Sequence, residues 1–551
     1  MFGPTVDVTQ SLLDAVDLEG IDPYADWERA TRPPGAATAP LWQPVFVEIL
    51  PNGGGSFAQS ARTLLAQIAT SREIAVETPT REALQRLAAG GVMREADRRF
   101  FVFRPEQVAA RASLVGGAAI PVRLLHLGPA LPTAFETEMP PTPPLPAEIG
   151  MGLSRTVLTG VIDDVMGFAN ERFRAGPTSS RVERFWMQGM PAITGGRAAI
   201  GGEIDRAGID ALLRASRAEG DVYDRLFPAG VYVMRAAPRG EIGMVPYAGL
   251  NARPFGFSRT HGTQVLDLAA GWPMGTAPAD RPILAVQLPQ LATLETWGAR
   301  LDLLVLLGLQ RLFHWADRWP EGGSLRRAPL VVNLSYGVLA GPKDGTGLIE
   351  AEIARMVAAR NAEGVPTAVV LPAGNGHRDR CRAELALGPG QTGEVSLRLM
   401  PDDQSVTFVE IWLDGLERLR LGISPPQGAP FERLILPDDA VYDWQGNLGG
   451  GLSLTMARIY VRPSGAAGRT RVTIAFLPSQ NHEVPHQTVP AGAYQITLAN
   501  QGVSPLGATI EPQRDETPPN FPLWGRQAYL DDALAHGWDT EVAAYVFDPT
   551  V

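Results

Sequence analysis

Apolar and polar positions are arranged in three different ways along the chain. Between residues 1 and 128, strand-like runs such as PVFVEIL and FFVFRP are mixed with runs such as FAQSARTLLAQIA, in which apolar residues recur at spacings of three and four. This mixture predicts a small α+β domain. Residues 129–150 are rich in proline, which cannot continue a helix or a central strand, so they are predicted to form an extended linker.

The middle of the chain, residues 151–380, alternates short apolar runs with helical stretches. The apolar runs include TVLTGVIDD, VVNLSYG and TAVVLPAGN, and the helical stretches include LDLLVLLGLQRLF and IEAEIARMVAARNAEG. Strands that alternate with helices predict an α/β fold, in which a mostly parallel sheet is covered by helices on both faces. The functional site of such a sheet is expected at the carboxyl ends of its strands.

Closely spaced strands dominate from residue 381 to residue 520. Runs such as VTFVEIWLD, ARIYVRP, RVTIAFLP and AYQITLAN are separated by Gly, Pro and Asn turns, which predicts a β-sandwich inserted into the α/β domain. Residues 521–551 are expected to return to the α/β domain.

Composition and charge exclude several function classes. The 48 basic residues are outnumbered by 59 acidic ones and form no dense cluster, so neither nucleic acid nor an anionic membrane surface is expected as a partner. Cys381 is the only cysteine, which excludes intrachain disulfides and multi-cysteine zinc sites. The only lysine, Lys343, follows proline, so the sequence has no Gly-Lys pair for a phosphate-binding P-loop.

No targeting or membrane signal is visible in the sequence. The longest apolar stretch, around residues 303–309, is shorter than the roughly 20 residues that cross a bilayer. The first twenty residues carry acidic side chains where a signal peptide needs positive charge. We therefore expect a cytoplasmic protein without a membrane partner, with export by another route left open.

Three segments of the α/β region carry side chains that could take part in chemistry. Asp163 follows an apolar run, His261 opens HGTQVLDLAAG, and Asn375 lies between glycines in LPAGN. Taken singly, they have structural explanations as a turn-capping aspartate, a capping or core histidine and an asparagine in a left-handed turn. A helix N-terminus favours the neutral imidazole, which can accept a proton, and a side-chain amide can donate to an oxyanion.

The order VIDD, HGTQVLDLAAG, VVNLSYG and LPAGN resembles the Asp, His, substrate-strand and oxyanion-Asn blocks of the subtilisin-like serine proteases, or subtilases. The resemblance covers roughly residues 155–380. It implies that Asp163 orients the imidazole, that His261 is general base and then acid, and that Asn375 stabilises the oxyanion. It also implies that substrate binds along two segments, which comprise Ser335, Tyr336 and Gly337 and then Ala373 and Gly374.

The sequence departs from the family pattern in two places. Asp163 and His261 are 98 positions apart, so residues 172–255 are expected to form an added subdomain or longer rim loops. The family's Gly-Thr-Ser nucleophile block is absent after Asn375. Two Gly-x-Ser sequences that end at Ser424 and Ser504 are each followed by proline among strands, and neither serine is a candidate. We expect the serine on a segment beyond Val551.

The sequence therefore predicts a serine endopeptidase that acts on peptides or proteins and needs no cofactor and no metal. A catalytically inactive, peptide-binding regulator is the alternative, which the missing serine favours. Residues 1–128 are either a propeptide-like chaperone or inhibitor, or a partner-binding domain. The HEVPH sequence at residues 482–486 is not expected to bind zinc, because its proline disfavours the required helix.

Overall fold

A computed structural model describes most of the chain. The described residues are 2–9, 22–32, 41–51, 56–71, 74–106, 121–132, 149–189, 200–226, 232–236, 242–246, 260–293, 298–339, 341–376, 379–449, 452–464, 468–481, 487–513, 525–531, 536–539, 541 and 544–547. The HEVPH sequence and most of the proline-rich segment lie outside this set.

The described part of the first 132 residues begins with one strand and one helix, which are followed by a compact sheet with two helices. The elements are β1 (Phe2–Asp7), α1 (Pro23–Thr31), β2 (Leu41–Ile49), α2 (Phe57–Thr70), α3 (Thr78–Ala88), β3 (Arg99–Pro105), β4 (Val122–Leu127) and β5 (Leu131–Pro132). Strand β2 lies in the centre, pairs antiparallel with β3 and β4, and pairs with β5 at its start. Apolar side chains of α2 and α3 cover one face of this sheet.

The region from residue 149 to residue 376 alternates strands and helices. Its elements are β6 (Ile149–Leu153), β7 (Leu158–Asp163), β8 (Arg174–Gly176), β9 (Ser179–Ser180), β10 (Val182–Met187), β11 (Gly202–Asp205), α4 (Arg206–Ala215), α5 (Glu219–Leu226), β12 (Tyr232–Ala236), β13 (Ile242–Pro246), α6 (His261–Ala270), β14 (Ile283–Gln287), α7 (Gln290–Thr293), α8 (Ala299–Ala316), β15 (Trp319–Glu321), β16 (Ser324–Arg327), β17 (Leu330–Leu334), α9 (Leu348–Ala362) and β18 (Thr367–Val370).

Six of these strands form the central sheet in the order β11-β10-β14-β7-β17-β18. The five strands from β10 to β18 are mutually parallel, and β11 adds an antiparallel edge. Short apolar strands separated by helices fold this way because each crossover helix returns the chain to the same end of the sheet. The α/β class predicted from the sequence is confirmed. The carboxyl ends of all five parallel strands lie along the same edge of the sheet, and the polar side chains singled out in the sequence lie there.

Helices cover the two faces of the central sheet unequally. On one face, α8 and α9 bury the side chains of β7, β14 and β17 in a single apolar cluster. On the opposite face, the described helices α4, α5 and α6 cover β10, β14 and β7. Over β17 and β18 the described part of the chain places no helix on that second face, and Val331 and Val370 are 43% and 51% exposed. We call the second face of these two strands the open strip.

The strands after residue 380 build two antiparallel sheets. They are β19 (Ala383–Leu387), β20 (Thr392–Leu399), β21 (Thr407–Asp414), β22 (Leu419–Ser424), β23 (Phe431–Ile435), β24 (Ala440–Gly449), β25 (Leu452–Ser464), β26 (Arg469–Phe476), β27 (Gly492–Asn500), β28 (Leu506–Gln513) and β29 (Tyr529–Asp531), followed by a hairpin of β30 (His536–Asp539) and β31 (Ala544–Phe547). Sheets in the orders β1-β24-β25-β26-β21-β28-β19 and β23-β22-β27-β20-β29 share one apolar core.

Three segments lie in different sheets from those expected. Strand β1 and helix α1, predicted in the N-terminal α+β domain, pack in the antiparallel sheets through Phe2, Tyr24 and Trp27. Strand β29, predicted to rejoin the α/β domain, pairs with β20. Strands β10 and β11, inside the stretch expected to be an added subdomain or rim loops, belong to the central sheet. Strands β1, β29 and β10 are placed by partners far away in sequence, which local patterns do not reveal, and β11 then pairs with β10. The domain boundaries themselves stay a prediction.

The compact N-terminal sheet packs against α8. Phe46, Phe101 and Phe103 join the same apolar cluster as the leucines of α8. Arg311 of α8 is buried between Glu77, which precedes α3, and Glu203 of β11.

Among the described residues, no helix is long and apolar enough to cross a bilayer.

Candidate functional site

Asp163 is the last residue of β7 and is completely buried. Its side chain shares the sheet face of Val161, since residues two apart in a strand point the same way. That face is the one covered by α6. Its Oδ1 accepts a hydrogen bond of 2.8 Å from the N–H of Asp164, and its backbone carbonyl accepts one of 2.7 Å from Leu288 beyond β14. The backbone of Asp163 is therefore held against the segment that follows β14, and Oδ1 is held by the next amide.

His261 is the first residue of α6, and its side chain is 51% exposed. The preceding Thr260 does not cap the helix with its hydroxyl. That hydroxyl donates instead to the carbonyl of Val165 at 2.5 Å and lies 2.7 Å from the hydroxyl of Thr263, which accepts from the N–H of Gly167 at 2.6 Å. These bonds tie the start of α6 to the loop that follows β7.

The structure brings Asp163 and His261 together although 98 positions separate them. His261 Nδ1 and Asp163 Oδ1 are 2.7 Å apart, a hydrogen-bond distance. A buried carboxylate acceptor stabilises the tautomer that carries its proton on Nδ1, so Nε2 is the nitrogen that can take a proton from a substrate or nucleophile. The pair has the geometry of a general base and its orienting group.

Asp164 adds a second carboxylate beside this pair. Its Oδ1 accepts the N–H of Gly262 at 2.6 Å, and the hydroxyl of Tyr336 faces the same carboxylate and favours its ionised form. Burial and the neighbouring charge of Asp163 raise the pKa of Asp164 to about 7. Burial, followed by the charge of Asp164, raises the pKa of Tyr336, so the phenol stays protonated at neutral pH.

The remaining sequence candidates lie along the same edge of the sheet. Tyr336 follows β17, and its ring meets that of His261 edge-on with centroids 5.3 Å apart. Ser335 accepts a hydrogen bond of 2.8 Å from the amide of Asn333, and Gly337 is exposed beside Pro372.

The loop after β18 contains the last three candidates, Ala373, Gly374 and Asn375. All three are exposed. Gly374 has a φ of +89°, a backbone conformation that favours glycine. Gly376, next along the chain, is positioned so that an added Cβ would contact Leu339 at 3.5 Å. The loop therefore runs beside the segment that follows β17, and each of the two segments contains exposed residues.

The same side chains have spacing compatible with a metal ion. Ligand atoms of Asp163, Asp164 and His261 lie within 4.8 Å of one another. Two of these atoms, however, already face each other at a hydrogen-bond distance, and a metal would have to displace the proton between them. The donor set therefore fits a hydrogen-bonded base better than a metal centre.

Sequence reasoning missed the roles of Asp164 and Gly262. An added Cβ on Gly262 would lie 2.8 Å from both the carbonyl and Oδ1 of Asp164, so only glycine allows this approach. Asp164 stands in the VIDD motif, but its acceptor role depends on the placement of a helix that begins almost a hundred residues later. The sequence signal that could have pointed to Asp164 is a second acid directly after the aspartate that ends β7.

Ser424 and Ser504, the two serines followed by proline, are remote from this site in the topology. Ser424 ends β22 and Ser504 lies in the turn between β27 and β28, both in the antiparallel sheets. Neither serine begins a helix.

Comparison with known proteins gives a weak structural likeness. No protein-family model matches the sequence, and no curated protein matches it. Among solved structures, the CspB protease of Clostridium perfringens is similar, with 15% sequence identity and a TM-score of 0.44 over 65% of this chain. The aligned region spans 61% of that protein, about three fifths of its length. A likeness at this level does not assign a function.

Proposed function

We propose that this protein is a serine endopeptidase of the subtilisin type, with Asp163 and His261 as two members of its catalytic triad. The observation that carries the proposal is the 2.7 Å contact between a half-exposed imidazole at a helix N-terminus and a buried aspartate at the carboxyl end of a parallel strand. Both lie on the open edge of the sheet, where ligands of α/β proteins bind.

In the proposed reaction, His261 Nε2 takes the proton of a serine hydroxyl while the hydroxyl oxygen attacks the peptide carbonyl carbon. Asp163 stabilises the resulting imidazolium through Nδ1–H. When the C–N bond breaks, the imidazolium gives its proton to the leaving amine. Water then repeats the sequence on the acyl-enzyme, and the serine is released unchanged.

Two exposed segments are proposed to bind the substrate. Ser335, Tyr336 and Gly337 would pair with an extended peptide through backbone hydrogen bonds, and Ala373 and Gly374 would line its other side. The amide of Asn375 would donate to the oxyanion of the tetrahedral intermediate. The adjacency of Gly337 and Pro372 supports a single cleft between these segments.

The serine is proposed to reside on a segment that covers the open strip. A parallel sheet is normally covered on both faces, yet Val331 and Val370 are exposed on the face where α6 covers the neighbouring strands. A helix laid antiparallel to β17 and β18 would begin at the edge that carries His261. Because the sequence contains no Gly-Thr-Ser block, we assign this helix to a segment outside these 551 residues, of the same protein or of a partner.

The alternative function is that of a catalytically inactive peptide-binding regulator. The absence of the Gly-Thr-Ser block favours it. It would use the same cleft and the same pairing segments, without covalent chemistry.

Labelling with a fluorophosphonate probe separates the two functions. The protein is isolated at its natural length from its source, and variants are prepared at that length. We expect labelling of one serine, abolished in Asp163→Asn and His261→Ala and retained in Asp267→Asn, an aspartate of the same helix that pairs with Arg172. A folded natural-length protein that shows no labelling supports the regulator.

A further inference from the structure

The helix that carries His261 is capped from a distant part of the chain. The first N–H groups of any helix need acceptors outside the helix, and a side chain at the preceding residue usually supplies one. Here Thr260 does not, because its hydroxyl is engaged with Val165 and Thr263. Asp164 takes its place and accepts the N–H of Gly262, the second residue of α6.

Tyr336 connects this cap to the imidazole. Its hydroxyl faces Asp164 and Thr293 of α7, and both groups act on the pKa of the phenol. The ring then meets the ring of His261 at an interplanar angle of 71°. Asp164 thus holds the helix start, and Tyr336 limits the rotation of the imidazole on that helix.

The adjacency of two carboxylates has a cost in stability. Asp163 and Asp164 repel each other in a partly buried site, and nothing in the Asp163–His261 contact itself requires the second acid. Proteins tolerate such local conflicts mainly at functional sites.

We propose that Asp164 and Tyr336 are positioning residues that hold His261 Nδ1 on Asp163. This inference rests on the proposed function for its catalytic meaning, but the hydrogen bond it concerns exists independently of activity. A shift of the imidazole by about 1 Å lowers turnover on the order of 100-fold, so loss of positioning is expected to reduce kcat by roughly 10–100-fold with little change in KM.

Proton NMR of the 551-residue chain with histidine-selective ¹⁵N labelling tests the proposal directly. An imidazole N–H held against a buried carboxylate gives a strongly deshielded, slowly exchanging resonance. We expect this resonance in the native chain and expect Asp163→Asn to remove it. Solvent exchange of the resonance should accelerate at least tenfold in Asp164→Ala and Tyr336→Ala. Asp164→Asn, which keeps an acceptor oxygen, and Tyr336→Phe, which keeps the ring, should show intermediate rates.

Two control variants complete the design. Asp267→Asn alters the far end of α6, and Tyr442→Phe removes a hydroxyl in β24; neither should change the exchange rate. If the exchange rate is unchanged in Asp164→Asn, in Tyr336→Phe and in an alanine variant that folds, the positioning roles are overturned. The catalytic proposal then stays intact. Absence of the resonance in the native chain overturns the Asp163–His261 bond, and with it both proposals.

Discussion

Two adjacent carboxylates, Asp163 and Asp164, dominate the electrostatics of the site at the scale of single residues. Asp163 is buried against His261, and Asp164 faces Asp163, His261, the N–H of Gly262 and the hydroxyl of Tyr336. Burial and the charge of Asp163 outweigh the three favourable partners and raise the pKa of Asp164 to about 7. Asp164 therefore changes charge in the neutral pH range.

This raised pKa gives a pH-dependent stability. In an unfolded chain an aspartate titrates near pH 4, so between about pH 4 and pH 7 the folded protein holds a proton that the unfolded chain has lost. The contribution of Asp164 to stability consequently falls as pH rises through this window. Asp164→Asn changes the free energy of unfolding by a different amount at each pH. We predict that this change is more stabilising at pH 8 than at pH 5, by on the order of 1–2 kcal/mol.

Urea unfolding of the native chain and Asp164→Asn at both pH values provides the measurement. Asp267→Asn is the control, with no pH-dependent difference expected between it and the native chain. An equal effect of Asp164→Asn at pH 5 and pH 8 would contradict the raised pKa.

The catalytic candidates could be chosen from the sequence because each adjoins a local pattern. Asp163 ends an apolar run and His261 opens a helix of small and apolar residues. The contacts among Asp164, Gly262 and Tyr336 could not be predicted, because each partner contributes to a different element and no spacing in the sequence relates them.

At the scale of elements, the position of α6 decides whether the site exists. Its first turn approaches the loop after β7 so closely that a Cβ at position 262 would lie within 3.0 Å of three atoms of Asp164 and Val165. We predict that Gly262→Ala lowers the free energy of unfolding by about 1–3 kcal/mol. It should also accelerate exchange of the His261 imidazole proton, since the helix start must move.

Gly176→Ala is the matched control for this prediction, because a Cβ there meets no atom within 4 Å. Chemical unfolding and the imidazole resonance are measured on both variants. A Gly262→Ala variant that equals the control in both measurements would show that the helix start tolerates a wider separation than the structure has.

Strands could be predicted from the sequence where they contain a continuous run of apolar residues. The sequence identified β7, β17 and β18 in this way, whereas β10, with the sequence VERFWM, does not look like a buried parallel strand. Its charged residues Glu183 and Arg184 pair with Arg206 and Glu203 of neighbouring elements, and this pairing lets them lie in the sheet. Such compensation is a tertiary property that the strand's own sequence does not show.

At the scale of the whole molecule, the described part of the first 132 residues is attached both to the antiparallel sheets and to the helices of the α/β region. Strand β1 and helix α1 lie in the antiparallel sheets, and the compact N-terminal sheet lies on α8. Both attachments include buried charges: Asp26 of α1 pairs with Arg458, and Arg311 pairs with Glu77 and Glu203. Phe2 and Gly446 are paired across 444 positions, so this arrangement could not be predicted from local patterns.

We predict that the contact on α8 contributes strongly to stability. Arg311→Ala removes the cation that lies between two buried glutamates, of which Glu203 keeps its longer contact with Arg184, and should lower the free energy of unfolding by about 3–5 kcal/mol. Arg420→Ala, which removes an exposed partner of Glu432 in the antiparallel sheets, should cost less than about 1 kcal/mol. Urea denaturation measures both variants. Equal costs would indicate that the N-terminal sheet is only loosely attached to α8.

The central claim is that Asp163 activates the imidazole of His261 at the edge of a peptide-binding cleft. Alkylation of the 551-residue chain by a peptidyl chloromethyl ketone, with the modified residue located by mass spectrometry, tests it most directly. The carbon of the chloromethyl group would bond to Nε2 and release chloride. We predict modification at His261 in preference to the other six histidines, at least tenfold slower in Asp163→Asn and unchanged in Asp267→Asn. Modification spread evenly over the histidines, or undiminished in Asp163→Asn, would contradict the account.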